Sequence, residues 1–217
     1  MEKPHHKSHS LIDLSHFEED LYAKGHTGVC GVDEVGRGPL AGPVVAAAVI
    51  IPKGVRIAGV NDSKKLSSSQ RDEVFAEIAE LGIPCAIGII DHETIDKVNI
   101  LQASLMAMRK AVMELHPRPD VLLIDGSYSI PNMSQPQFAI VGGDARCLSI
   151  GAASIVAKVT RDRIMDEYQR LYPSFSFTEH KGYPTPAHLK ELEHFGPCPI
   201  HRRSFRPVAE CLQTYAF

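Results

Sequence analysis

Hydrophobic and polar positions along the chain change their period several times. Four apolar residues between positions 11 and 21 recur at helical spacing, which predicts a helix over 11–24 that ends at Gly25. A short strand at 28–32 follows, and the wholly apolar run at 44–51 indicates a strand covered on both faces. The remaining pattern predicts strands at 84–90, 121–124 and 138–141, and helices at 67–81, 101–115, 151–172, from Thr185 onward and at 207–215.

Strands and helices therefore mix along the chain without an internal repeat or a low-complexity linker, which indicates an α/β sheet protein. With 217 residues, 44% of them hydrophobic, the chain can bury a substantial core. We predict a tail and lead-in helix over 1–27 and one main domain over 28–217. Residues 173–217 would form a helical C-terminal extension of that domain.

The net charge of −3 argues at first against a nucleic-acid partner. The charge is uneven, however, because residues 158–217 hold nine Lys or Arg against seven Asp or Glu. The five cysteines are scattered and read as reduced thiols. No apolar run has the length of a membrane span and the first ten residues lack the apolar core of a signal peptide, so we expect a cytosolic protein.

The strongest candidate chemistry lies where the first predicted strand ends. Asp33 and Glu34 follow an apolar strand and precede Gly36-Arg37-Gly38. Glycine leaves its backbone open to close approach, and arginine offers a fork of donors to phosphate, so this layout is typical of a metal-dependent phosphodiester site. Since neighbouring strand residues point to opposite faces, one carboxylate is expected in the cleft and the other at the loop edge. A hairpin turn with a solvated acidic pair is the alternative.

Two more carboxylates are predicted near the same edge. Asp125 ends a strand, and Asp144 stands at the entry to the long helix. Four carboxylates can hold two Mg²⁺ or Mn²⁺ ions through hard oxygen ligands. Such a two-metal site hydrolyses a phosphodiester without a nucleophilic side chain. Taken singly, Asp125 also fits a turn and Asp144 an ordinary helix cap.

Other charged residues are interpreted as structural. Asp162 and Asp166, beside Arg161, Arg163 and Arg170, have the spacing of surface ion pairs on a helix. Asp91 and Asp96 fit helix starts, and Arg202-Arg203 fits a solvated or helix-pairing run. His180, His188, His194 and His201 match no zinc spacing, and neither a Walker motif nor a G-x-S-x-G elbow is present.

Longer motifs carry a resemblance to a known family. The run 31–49, with its Gly-Val-Asp-Glu-Val-Gly-Arg-Gly core, resembles the signature of ribonuclease HII. Similar family motifs recur in family order at 61–67, 124–126, 143–144, 151–162, 180–183 and 201–205. The resemblance extends from about Leu14 to Val208.

This resemblance implies a ribonuclease H-like fold with a mixed central sheet flanked by helices, and a catalytic domain over 28–217. It implies that Asp33, Glu34, Asp125 and Asp144 are the catalytic, metal-binding set for Mg²⁺ or Mn²⁺. The implied reaction is hydrolysis on the 5′ side of a ribonucleotide in a duplex, leaving 3′-hydroxyl and 5′-phosphate ends. Excision of misincorporated ribonucleotides and removal of RNA from hybrids would be its roles, and we expect a monomer.

The resemblance also implies substrate contacts. The Gly36-Arg37-Gly38 backbone would read the ribose 2′-hydroxyl, which is the group that distinguishes RNA from DNA locally. Asn61 and Lys64 would hold adjacent phosphates, and Tyr183 would stack on the following sugar. Lys158 is a further candidate phosphate contact, although it, like Arg161, fits a purely helical role.

Three alternatives stay open. Ribonuclease HIII shares the fold, but its pattern has Glu in place of the fourth Asp and an extra N-terminal domain. Asp144 and the short lead-in segment here favour HII. A non-catalytic nucleic-acid-binding module would lack one of the carboxylates, and a nuclease for DNA junctions would not need a loop that reads the 2′-hydroxyl.

Overall fold

The computed structural model describes residues 14–57, 59–60 and 66–214. Its strands are β1 (Val29–Val35), β2 (Val44–Ile50), β3 (Cys85–Ile90), β4 (Val121–Asp125) and β5 (Gln137–Ile140). Its α-helices are α1 (His16–Ala23), α2 (Ser68–Glu80), α3 (His92–Val98), α4 (Ile100–Glu114), α5 (Leu148–Leu171), α6 (Phe177–His180), α7 (Pro186–Phe195) and α8 (Arg206–Thr214). A 3-10 turn at Gly143–Ala145 precedes α5.

The five strands form one mixed sheet in the order β3-β2-β1-β4-β5. The strand β1 pairs antiparallel with β2 and parallel with β4, so it lies at the centre of the sheet. Because β1 and β4 run in the same direction, their carboxyl ends meet at one edge. That edge carries Asp33 and Glu34 on one strand and Asp125 on the other.

Helices cover both faces of the sheet. The first face packs against α5 and α2 through apolar side chains such as Val45, Val49, Ile78 and Val156. The second face packs against α4 through residues that include Val44, Ala48 and Val112. Burial on both sides explains why β2 is apolar at every position.

The long helix α5 approaches β1 very closely at Gly31. A Cβ atom at Gly31 would lie 2.1 Å from the carbonyl carbon of Ser149, so only glycine fits under the helix. This close packing brings the start of α5, and the turn that carries Asp144, over the strand that carries Asp33.

The C-terminal helices pack beside the sheet edge that holds the carboxylates. An apolar cluster joins Ala41 from the loop after β1 to Met165 of α5 and to Phe175, Phe177 and Ile200. Ala41 also forms an isolated β-bridge with His201. The C-terminal segment therefore supports the loop between β1 and β2.

Most sequence predictions of elements are confirmed, including the capping box of Ser67 and Gln70 and the Thr185 N-cap before Pro186. The helix predicted at 11–24 is described from His16, and positions 11–13 lie outside the described residues. The first strand runs three residues further than predicted, because Asp33 to Val35 continue the ladder with β2. Asp91 caps α3 as expected, but Asp96 lies inside that helix, so its interpretation as a helix start is wrong. Across the described part of the chain, none of the helices combines the length and apolar character needed to cross a membrane.

Candidate active site

The four predicted carboxylates line one cavity of about 410 Å³ at the carboxyl end of β1 and β4. Six other residues contribute to the wall: Val35, Arg71, Ser154, Ile155, Lys158 and Tyr183. The acids thus come from two strands and a 3-10 turn, while α5 supplies the opposite wall.

Asp33 and Glu34 both face this cavity, although neighbouring strand residues point to opposite faces of a sheet. Asp33 is almost fully buried, and its Oδ1 accepts a 2.7 Å hydrogen bond from the Glu34 N–H. Burial, with Glu34 and Asp125 nearby, raises the pKa of Asp33 well above its usual range. Burial also raises the pKa of Glu34, while an ion pair with Arg37 at 3.2 Å opposes that rise.

Asp125 and Asp144 are connected through the turn between them. Asp125 Oδ1 accepts a 2.7 Å hydrogen bond from the N–H of Gly143, the residue before Asp144. Asp144 is buried in the 3-10 turn rather than capping α5. The interpretations of these two residues as an ordinary turn and a helix cap do not account for their shared cavity.

The donor set fits a hard divalent cation. Four carboxylates supply only oxygen ligands. Burial first, and then the neighbouring Glu34 and Asp125, raise the pKa of Asp33, and a bound cation would favour its charged form. Within residues 14–57, 59–60 and 66–214, however, no three His, Cys, Asp or Glu side chains are gathered closely enough to enclose a metal ion. The carboxylates therefore line the cavity without forming a finished cage.

The loop after β1 meets Tyr183 beside the cavity. Gly36 has φ of +97°, and a Cβ atom there would lie 2.4 Å from Arg161 Nε, so the loop requires glycine at this position. Arg37 and Gly38 are exposed, and a Cβ at Gly38 would lie 3.7 Å from Tyr183 Cε1. The exposed part of the loop and the half-buried Tyr183 ring thus lie side by side, with room between Gly38 and the ring for about one methyl group.

Two buried arginines hold this loop through hydrogen bonds to its backbone carbonyls. Arg202 donates to the carbonyl oxygens of Gly36, Arg37, Gly42 and Pro43 at 2.6–3.2 Å. Its exposed fraction is 0%, and burial lowers its pKa to about 9.

Arg161 makes the second set of contacts. Its guanidinium donates to the carbonyl oxygens of Pro43, Ala41 and Lys181, which connects the loop to the turn before Tyr183. The interpretations of Arg161 as a surface ion-pair residue and of Arg202 as solvated or helix-pairing are wrong. Both are fully buried and bind backbone carbonyls, a role that sequence spacing does not reveal because the partners are not side chains.

Three buried histidines support the Tyr183 turn from the other side. His188 Nδ1 lies 3.0 Å from the Tyr183 carbonyl oxygen, which can only accept, so this nitrogen carries the proton. His188 Nε2 then accepts from His201 Nε2, 3.0 Å away. His201 Nδ1 in turn accepts from the Cys198 N–H at 3.0 Å. His180 stacks on His188 with 4.1 Å between ring centroids, so stacked and hydrogen-bonded imidazole rings support the turn.

The remaining predicted substrate residues are placed as follows. Lys158 lines the cavity and pairs with Asp162 at 2.7 Å. Asp166 pairs with Lys181, so the two aspartates of α5 are ion-paired as predicted, but with lysines. The arginines named with them from the sequence have other partners: Arg163 pairs with Asp72, Arg170 pairs with Glu167, and Arg161 binds backbone carbonyls. Asn61 and Lys64 lie outside the described residues.

Comparisons with known proteins identify one family. The sequence model of one family, described as Ribonuclease HII, matches residues 30–208. Ribonuclease HII of Listeria innocua is 51% identical over 201 residues, which are 92% of this chain and 76% of that protein. Ribonuclease HII of Geobacter metallireducens is 53% identical over 194 residues, covering 89% of this chain and 91% of that one.

Solved structures give the same fold. Ribonuclease H2 from Pyrococcus horikoshii OT3 has a TM-score of 0.71 and 26% identity, covering 86% of this chain and 98% of the other. Bst-RNase HIII in complex with Mn²⁺ has a TM-score of 0.64 and covers 88% of this chain and 70% of the other; at 19% identity it is similar in fold alone.

The mixed sheet, the carboxylate-lined cavity and these likenesses define a hydrolytic endoribonuclease of the ribonuclease H type, a divalent-metal-dependent class that acts on nucleic acid. The chain belongs to the ribonuclease HII family.

Proposed function

We propose that this enzyme hydrolyses the phosphodiester on the 5′ side of a ribonucleotide, both in RNA/DNA hybrids and in duplex DNA with embedded ribonucleotides. The products carry 3′-hydroxyl and 5′-phosphate ends. One observation carries the proposal: the exposed Arg37-Gly38 backbone faces the Tyr183 ring, and that ring lines the same cavity as the four carboxylates. A ribonucleotide read by the loop, with its following sugar packed on the Tyr183 ring, lies beside the acids.

The metal site is assigned to Asp33, Glu34, Asp125 and Asp144. Two divalent cations bound there would activate a water molecule and stabilise the leaving oxygen. The acids that line the cavity supply only hard oxygen ligands, which suits Mg²⁺ or Mn²⁺, and such ions often take the rest of their coordination from substrate phosphate oxygens. The Mn²⁺ bound to Bst-RNase HIII, which shares the fold, supports the same choice of ions.

The other residues position the substrate. Gly36, Arg37 and Gly38 read the 2′-hydroxyl through their backbone, with the carbonyls of Gly36 and Arg37 already fixed by Arg202. Tyr183 packs against the following sugar. Asn61, Lys64 and Lys158 are assigned to phosphates, and for Lys158 this assignment rests on its place in the cavity wall.

A single copy of the chain supplies every group assigned to the reaction, so we propose that the enzyme acts as a monomer. We assign residues 173–217 to the catalytic domain, because Arg202 holds the loop Gly36-Arg37-Gly38, which we call the reading loop. A cytosolic location is supported by five cysteines that are all thiols, since disulfides persist in oxidising compartments.

The test is cleavage of labelled duplexes that carry none, one or four ribonucleotides, together with a ribonucleotide-free DNA junction. We expect cleavage only where a ribonucleotide is present, 5′ to it, with the stated ends. Asp125→Asn should lower the single-turnover rate at least about a hundredfold while it keeps an oxygen for the Gly143 N–H. Cleavage of the junction, or equal cleavage of the all-DNA duplex, would instead identify a carboxylate nuclease that does not read ribose.

A further inference from the structure

A charged groove adjoins the catalytic cavity between α2 and α5. We call it the α2–α5 groove; it has a volume of about 460 Å³ and is lined by Ser68, Arg71, Asp72, Val159, Asp162, Arg163, Asp166 and Lys181. Arg71 lines both the groove and the catalytic cavity. It therefore stands where a strand leaving the carboxylates would enter the groove.

The other cations in this region already have carboxylate partners. Arg163 pairs with Asp72 at 3.1 Å, and Lys181 pairs with Asp166. A paired cation has to give up its carboxylate before it binds a phosphate, which reduces the gain in affinity.

At the wall of the catalytic cavity, Lys158 pairs with Asp162 at 2.7 Å and Arg37 with Glu34 at 3.2 Å. These two ion pairs leave the cavity with few cations available to a substrate.

Arg71 differs from these cations. Among the residues that the structure describes, its guanidinium has no carboxylate partner, and its Nη1 donates to the Leu66 carbonyl oxygen at 2.6 Å. That bond fixes the half-buried side chain while Nε and Nη2 keep their N–H donors for another acceptor. A guanidinium with two adjacent donors matches the paired oxygens of a phosphate.

We propose that Arg71 is a phosphate-binding residue that holds the backbone of the nucleic-acid strand between the catalytic cavity and the α2–α5 groove. This inference rests on the proposed function, since a duplex must lie across the cavity. The contact is independent of base sequence and of the sugar, so it contributes to affinity for all duplexes and leaves the choice of ribose to the reading loop.

The experiment measures equilibrium binding of a plain DNA duplex and of a one-ribonucleotide duplex in Ca²⁺, over a series of salt concentrations. Arg71→Ala should weaken binding of both duplexes about tenfold and lower the slope of log affinity against log salt by roughly one. Arg71→Gln, which keeps a long polar side chain without the charge, should give the same loss of slope. Arg163→Ala is the matched control from the same groove, and its slope should equal that of the parent because Arg163 is paired.

A parent-like salt slope in both Arg71 variants would overturn the proposal. Arg71 would then only hold the Leu66 carbonyl, and its replacement would lower thermal stability without changing binding. An equal loss of slope in Arg163→Ala would also overturn it, because the effect would then belong to the general charge of the groove. Cleavage by the parent enzyme is scored separately. If the parent binds duplexes but does not cut at ribonucleotides, the proposed function is refuted. The salt slopes of the Arg71 variants would still show whether Arg71 binds phosphate.

Discussion

Arg202 and Arg203 are neighbours with the same chemistry and opposite environments. Arg202 is fully buried with four carbonyl partners, whereas the side chain of Arg203 is exposed. The sequence shows two adjacent arginines, and the pattern of charges alone favours a solvated pair. The difference arises from loop carbonyls that no side-chain periodicity encodes.

Replacing the buried Arg202 should lower the free energy of unfolding more than replacing Arg203. In Arg202→Met the carbonyl groups of Gly36, Arg37 and Gly42 lose their arginine donor, while Pro43 keeps Arg161. This loss should lower the free energy of unfolding by about 3 kcal/mol or more. Arg203→Met should change it by less than about 0.5 kcal/mol. Urea unfolding of the two variants measures the difference, and equal midpoints would show that the loop carbonyls find other donors.

Tyr183 is the side chain that packs against the sugar after the ribonucleotide in our proposal. Tyr183→Ala should lower the single-turnover rate on a one-ribonucleotide duplex by about a hundredfold, because a lost positioning contact misaligns the scissile phosphate. Tyr183→Phe keeps the ring and should be milder. Binding of plain DNA in Ca²⁺ should barely change in either variant. A parent-like rate for Tyr183→Ala would assign the ring to packing against the loop alone.

At the scale of elements, the sheet edge was predictable and the loop support was not. Alternation, capping and glycine signals located β1, β4 and α5, and parallel pairing then brings Asp33 and Asp125 to one edge. The prediction that β1 stops before Asp33 is wrong, because pairing with Ala47 on β2 extends the ladder. Arg161 reaches loop carbonyls about 120 residues away in sequence, a relation that local patterns do not contain.

Two glycines of the reading loop should respond differently to the same substitution. Gly36→Ala places a Cβ at positive φ against Arg161 Nε and should lower the unfolding free energy by about 1–3 kcal/mol. Gly38→Ala meets only ordinary contact with the Tyr183 ring, so thermal stability should stay near that of the parent. Its rate on the one-ribonucleotide duplex should nevertheless fall, because the new methyl group covers backbone that we assign to the ribose 2′-hydroxyl. Parent-like cleavage by Gly38→Ala would remove Gly38 from the groups that read ribose.

At the scale of the whole molecule, buried histidines couple stability to pH. Burial lowers the pKa of His188 and His201 to about 4, whereas the unfolded chain titrates near its ordinary value of about 6.5. The unfolded state thus binds more protons between these values, and the free energy of unfolding rises with pH through that window. Asp33 acts in the opposite sense, since its raised pKa makes the folded state hold a proton above the ordinary aspartate range.

The corresponding measurement compares unfolding at pH 7.5 and pH 5 in an Asp33→Asn background, which removes one opposing group. The raised pKa of Glu34 acts in the same sense as that of Asp33, and Glu34 is present in every variant compared. Stability should fall at pH 5 by on the order of 2 kcal/mol for each of the two histidines. His201→Asn keeps an acceptor for the Cys198 N–H and removes one titrating ring, so it should lose about half of the pH effect. An unchanged pH effect in His201→Asn would show that other groups cause it.

The bonds from Arg202 to Gly36 and Pro43 span 166 and 159 residues of sequence. A chain emerging from the ribosome therefore makes its reading loop early and receives the guanidinium that fixes it only after about 160 further residues have been added. Contacts of such long separation form late and slowly. Until then the proposed catalytic acids exist without a fixed ribose-reading loop, so selection of ribose should appear only after translation has passed Arg202. A nascent fragment thus has the components of a nuclease before it has the means to choose its substrate.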